Sequence, residues 1–147
     1  MPRRDAPTRS LIDAQTLRAY RETDYHVDAG PAFVLRIDAE SADLSALHQR
    51  HLVRCSAFLS AYNPHSRLLD AVENTRRHGL LLDELARRGL PALPGLGRHP
   101  HNDWPAEPSV LVPGLGLDDA RALGERFEQN AVLWADADAV PRLILLR

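Results

Sequence analysis

The chain reads as an α+β protein: a single domain with a mixed β-sheet of about five to seven strands and three to four helices packed on it. Three observations predict this class. Short apolar, β-branched and aromatic runs end at Gly, Pro and Asn signals. Helical periodicity surfaces between those runs, most clearly after Ser66. The elements do not alternate strictly strand with helix, which argues against a purely doubly wound sheet. With 147 residues the chain suits one domain able to bury a substantial core, assigned here to residues 10–147.

Each element follows from local signals. Residues 1–9 hold no apolar run and read as a disordered basic lead-in rather than a secretory signal. Ser10, with Asp13 three residues on, is placed to cap a first helix that ends near Thr23. Asp24–Asp28 and Ala32–Asp38 form a hairpin across Ala29-Gly30-Pro31. Ser41–Leu52 makes a short helix with Leu44, Leu47 and His51 inward. Cys55–Tyr62 is a central strand closed by Asn63-Pro64.

The longest helix runs from Ser66 to Arg88. Leu68, Val72, Thr75, Leu82, Leu85 and Ala86 share its core face, and Glu73, Arg76, Arg77, Glu84 and Arg87 lie opposite. Gly89 stops it. Residues 91–113 hold six of the eleven prolines and read as an ordered loop, with a strand only over Ser109–Val112. Asp118 caps a helix to Gln129 with Ala120, Leu123, Gly124 and Phe127 inward. Ala131–Ala135 and Arg142–Leu146 close the chain as a hairpin.

Composition removes several classes of function. All 18 basic residues are arginine, so a phosphate-loop lysine, Schiff-base chemistry and a lysine general base are excluded. The net charge of −2 gives no global pull toward nucleic acid. Arg67, Arg76, Arg77, Arg87 and Arg88 suggest a stripe, but Asp70, Glu73, Asp83 and Glu84 interrupt it, so no nucleic-acid partner is expected. No run approaches the ~20 apolar residues of a membrane span, so no membrane association is expected. The lone Cys55 excludes an internal disulfide, is read as a buried inert thiol and fits a cytoplasmic setting.

Metal and cofactor signals are absent. His48/His51 and His99/His101 are pairs without the third ligand a zinc site needs. Gly114-Leu115-Gly116 lacks the third glycine of a dinucleotide turn, because that position is Asp119, and two carboxylates occupy the helix start where a phosphate would sit.

Two stretches carry chemistry. Ser60-Ala61-Tyr62-Asn63-Pro64-His65-Ser66 leads from the central strand into the long helix, where ligands gather in α/β sheets. Tyr62 and Asn63 offer a phenol and an amide there, and Asn74 and His78 project from the following helix. The plainer alternative is an Asx-type turn at Asn63-Pro64, with Ser66 as a helix cap. The second stretch is Trp104-Pro105-Ala106-Glu107-Pro108-Ser109. Glu107, just before a strand, is either a catalytic carboxylate or a clamp on backbone N–H groups.

These motifs resemble a family of small bacterial proteins catalogued as domain of unknown function 3293. The resemblance covers about residues 17–146. It rests on Tyr20…Thr23-Asp24-Tyr25, Ala61-Tyr62-Asn63-Pro64 with Glu73-Asn74, Trp104…Glu107-Pro108-Ser109, and Phe127-Glu128-Gln129-Asn130-Ala131. Ser60 stands where threonine is usual, and the hydroxyl survives. The resemblance implies a bacterial source and one compact domain, and it carries over no catalytic role.

The residues where these motifs coincide define a pocket lined by Tyr25, Tyr62, Asn63, Asn74 and Gln129, with Glu107 as the candidate catalytic group. Amide and phenol groups favour directional hydrogen bonds to a polar, nucleoside- or sugar-like molecule. The alternative is a non-catalytic interaction or regulatory module that uses the proline-rich loop 91–113 and Trp104 as an anchor.

Overall fold

Gly-Pro and Asp-rich turns at residues 29–31 and 136–139 fold their flanking runs into the two outer hairpins of one sheet. A computed structural model describes residues 10–147; the lead-in at 1–9 lies outside them. Its elements are α1 (Ala14–Glu22), β1 (Asp24–Val27), β2 (Phe33–Leu35), α2 (Ala42–His51), β3 (Ser56–Leu59), α3 (Ala71–Arg87), β4 (Leu93–Arg98), β5 (Glu107–Pro113), α4 (Leu117–Arg126), β6 (Ala131–Ala135) and β7 (Arg142–Leu145). The seven strands lie in the order β2-β1-β4-β5-β3-β6-β7. The fold is α+β, as the sequence indicates.

Every pairing in the sheet is antiparallel, which corrects the expected mixed sheet. The reason is in the crossovers. Helix α3 carries the chain from β3 to β4, and α4 carries it from β5 to β6. Each crossover skips one place in the sheet, and an antiparallel strand fills the gap (β5 in the first case, β3 in the second). Strands that run the same way are therefore next-nearest neighbours and share no ladder.

The predicted loop over 91–113 is also corrected, because β4 and β5 occupy most of it. Prolines are tolerated in strands where no neighbour needs their missing N–H. The Pro94 carbonyl accepts Asp28 N–H (2.8 Å) just past the last β1–β4 pair, Val27↔Gly95. The Pro108 carbonyl accepts the Ser60 hydroxyl (2.9 Å) just past the last β3–β5 pair, Leu59↔Val110. Both rings thus face the side where the neighbouring ladder has ended. Residues 91–92 and 99–106 remain as loop.

Helices cover both faces. Under α3 and α4, Leu59, Val110, Val112 and Val132 pack against Leu81, Leu85, Leu123 and Phe127. Under α2, Val27, Leu35, Phe58 and Leu133 pack against Leu44 and Leu47. Fully burying a side chain of this size contributes roughly 1.5–3 kcal/mol, so the central strands, buried on both sides, anchor the fold. No helix of the described residues is long and apolar enough to cross a membrane.

Several boundaries shift for identifiable reasons. Asp13, not Ser10, caps α1 by accepting Thr16 N–H (2.7 Å), while the Ser10 hydroxyl donates to the Arg147 carbonyl. Asp70, not Ser66, caps α3 through Glu73 N–H (2.8 Å). Gly116, not Asp118, precedes α4, with Asp118 and Asp119 in its first turn. In α2 the third inward residue is His48, bonded to the Ser56 hydroxyl at 2.7 Å, rather than His51. Helix α3 starts at Ala71, so Leu68 lies before it and is exposed, and the helix is rotated from its expected face: Asn74, Leu81 and Leu85 are buried, whereas Val72 is exposed.

Candidate functional site

Strand β3 ends at Leu59, and the chain then turns sharply through Ser60–Ser66. The Ser60 hydroxyl accepts Tyr62 N–H (3.0 Å) while donating to β5. Asn63, His65 and Ser66 all adopt left-handed backbone conformations, with φ of 48°, 50° and 59°. Asn visits this region readily, but His and Ser do so at a cost of order 1–3 kcal/mol each. Glu128, whose carbonyl accepts His65 N–H (2.6 Å), is a fourth such residue in the same cluster.

Asn63 is the hub of this turn. Its N–H donates to Asn74 Oδ1 (2.9 Å), and its Oδ1 accepts from Asn74 Nδ2 (2.8 Å) and Leu69 N–H (3.0 Å). Two donors on Oδ1 fix the amide orientation, which leaves Nδ2 to donate to Glu107 Oε2 at 2.7 Å. The Trp104 indole N–H donates to the same oxygen at 3.0 Å. Oε1 has no hydrogen-bond partner among the described residues. Burial pushes the Glu107 carboxyl above the usual carboxylate range, and the two donated bonds offset only part of that rise.

Glu107 opens β5 opposite Gly97 of β4 and lines a cavity of about 390 Å³ between the sheet and α1. Tyr25, Phe58, Leu133 and Leu143 form its apolar floor. The Tyr25 ring meets Phe58 edge-on at 5.4 Å, its hydroxyl donates to the Tyr20 carbonyl (2.8 Å), and burial raises its pKa. On the opposite rim, Asn130 Nδ2 donates to the Tyr20 hydroxyl (3.0 Å) and the Ser66 hydroxyl (2.8 Å). The 99–106 loop is tied from within: His99 Nδ1 accepts the N–H groups of His101 and Asn102, both at 3.0 Å.

The residues singled out from sequence fall into two layers. Tyr25, Asn63, Glu107 and Gln129 line the cavity. Tyr62 and Asn74 lie behind it. The Tyr62 ring packs edge-on against His78 at 6.0 Å, and its carbonyl accepts from Gln129 Nε2 (3.0 Å). Asn74 is buried and serves Asn63.

Arg77 departs from its expected solvent face. Its side chain is only 12% exposed and lies 3.5 Å from the Glu128 carboxylate. It donates from Nε to the Ala61 carbonyl at 2.8 Å and from Nη2 to the Phe127 carbonyl, so it braces the two loops that flank Asn63. Gln15, Thr16 and Tyr20 of α1, with Asn130, also line the cavity. Tyr20 and Asn130 stand within the motifs that carry the family resemblance, and Gln15 and Thr16 carry no sequence signal.

The Trp104 anchor expected of an interaction module is 38% exposed, with its indole N–H committed to Glu107. Cys55 is half-buried rather than core; its thiol lies 3.4 Å from the Leu115 carbonyl, and burial raises its pKa.

By its fold the chain is an α+β protein built on one antiparallel seven-stranded sheet with helices on both faces. A family model described as "Protein of unknown function (DUF3293)" matches residues 59–132, and the chain belongs to that family. The matched stretch begins at the last residue of β3 and ends inside β6. It therefore holds Asn63, Asn74, Trp104, Glu107 and Gln129, while Tyr20 and Tyr25 lie outside it. No curated protein and no solved structure matches the chain.

Proposed function

We propose that the protein binds a small polar molecule, nucleoside- or sugar-like, in the cavity beside Glu107, and that Glu107 is the group that gives or takes a proton there. The carrying observation is the state of its carboxyl. One oxygen is held by Asn63 and Trp104, the other is left without a protein partner, and the whole group is buried enough to raise its pKa. A carboxyl raised by burial, with one oxygen open to the cavity, is better suited to exchanging a proton with a bound molecule than an ordinary exposed carboxylate. The volume lies near the lower end of the ~300–1,000 Å³ of small-molecule sites. A non-catalytic interaction module over 91–113 has less support, because most of that stretch is paired strand.

Thermal-shift measurements over nucleosides, nucleotides and sugars test this reading. At least one compound is expected to stabilise the wild-type protein, by about 2.7 kcal/mol at a concentration of 100 Kd. The shift is expected to vanish in Asn63→Ala and Glu107→Ala. Absence of stabilisation across the whole panel overturns the proposal.

A further inference from the structure

Among the described residues no arginine lines the cavity, and Glu107 is the sole carboxylate in its lining. The other polar groups there are mostly neutral hydroxyls and amides, such as those of Ser60, Asn63, Ser109, Gln129 and Asn130. His99 Nδ1 accepts two backbone N–H groups, and its Nε2 lies 3.7 Å from Glu22 Oε2. An anion placed here would meet a buried acid and no cation among the lining residues, at a desolvation cost that the lining does not offset; the Arg147 guanidinium, outside the lining, is committed to Asn130 Oδ1 at 3.2 Å.

The floor has a shape as well as a polarity. A Cβ at Gly97 would meet only Tyr25 ring carbons at 3.9 Å and the Glu107 carbonyl at 4.0 Å, both ordinary contacts, so the glycine leaves open space above the sheet. Beside it lie the aromatic and aliphatic surfaces of Tyr25, Phe58 and Leu133. An apolar floor with neutral donors and acceptors around its edge fits a planar ring that hydrogen-bonds in its own plane.

Resting on the reading of this cavity as a ligand site, we propose that it selects by charge: it takes an uncharged planar heterocycle, a nucleobase or its nucleoside, and turns away the phosphorylated form. Glu107 supplies the direction. Because Oε2 already accepts two hydrogen bonds, Oε1 is the atom open to the ligand: when the carboxyl is protonated the proton sits there and is donated to a ring nitrogen or carbonyl of the ligand. The titratable groups that face Glu107 around the cavity are Tyr25 from β1, Tyr20 from α1 and His99 from the 99–106 loop. Arg36, which acts on the Tyr25 phenol from β2's end of the sheet, is paired with Asp24.

Calorimetric titration of the full chain tests this, with ribonucleosides, their monophosphates, tryptamine as a cationic ring and glucose as a sugar. A nucleoside is expected to bind at least ~10-fold more tightly than its monophosphate, equivalent to about 1.4 kcal/mol. Its affinity is expected to fall as pH rises through the raised value of the Glu107 carboxyl in the wild type, and Glu107→Gln is expected to flatten that dependence. Gly97→Val, which places a side chain over the floor, is expected to abolish binding, and Gly97→Ala to weaken it.

A monophosphate that binds as tightly as its nucleoside overturns the charge selection. So does glucose binding without any nucleoside, or tryptamine binding that strengthens with pH. Loss of these signals in Gly97→Val would leave the cavity itself standing as the ligand site. No heat with any probe overturns both.

Discussion

Glu107 pays for its position. A carboxyl whose folded-state pKa is raised favours the native state most when protonated, and that advantage is lost as pH rises through the raised value. Above it the native state holds a buried anion with two donors and no cation. Glu107→Gln keeps an acceptor for Asn63 and Trp104 and removes that charge. Its melting temperature is therefore expected to exceed that of the wild type at neutral pH, and the gain is expected to shrink as pH falls into the ordinary carboxylate range. Thermal unfolding followed across pH checks this, and a gain independent of pH would contradict it. The same trade-off appears in the left-handed residues Asn63, His65 and Ser66, whose backbone cost is met by the bonds that aim Asn63 at Glu107.

At the level of elements, two helical glycines separate packing from propensity. In α4, a Cβ at Gly124 would lie 2.6 Å from Leu146 and 2.7 Å from Val132. In α3, a Cβ at Gly79 meets nothing within 4 Å. Gly124→Ala is expected to destabilise the protein by about 1–3 kcal/mol through overpacking, and Gly79→Ala to stabilise it by about 0.5–1 kcal/mol. Urea unfolding of the two variants reads both signs.

The elements also show where sequence is legible. The outer hairpins, α2, β3 and α4 announce themselves by apolar period and turn chemistry. Strand β4 does not, because Pro94, Gly95 and Gly97 imitate a loop; at Gly95 the glycine is demanded by Phe58, whose ring would lie 2.7 Å from a Cβ. The face of α3 is ambiguous because Leu80-Leu81-Leu82 offers three choices, and the polar needs of Asn74 and Arg77 decide it. Asn63 and Glu107 can be read from residue type at strand ends. Arg77, Gln15 and Thr16 cannot, because only the tertiary fold brings α1 and the α3 brace to that place.

For the whole molecule, the helical layer over one face is fastened at Glu84. Arg87 and Arg88 of the α3 end and Arg126 of α4 converge on its carboxylate at 2.6–2.9 Å and hold it down to about 2. A depressed carboxylate contributes stability above its unfolded value, and that contribution disappears as pH falls from about 4.5 toward about 2. Glu84→Gln is expected to lower the melting temperature at neutral pH, with the difference from wild type closing in that acid window. A melting series across pH reads this directly, and an unchanged gap at low pH would contradict it.

The two sides of the cavity differ in how firmly they are built. Its floor includes Phe58 of β3, a strand buried on both faces, whereas α1 contributes no buried residue of its own. Local opening free energies follow such differences: amides in the middle of the sheet exchange with solvent only when the whole molecule unfolds, and those of a shallowly docked helix exchange through cheaper excursions. Glu107, which opens β5, and Asn63, just past β3, are thus expected on the slow-exchanging side, and a molecule bound as proposed would find the α1 wall the freer to breathe around it.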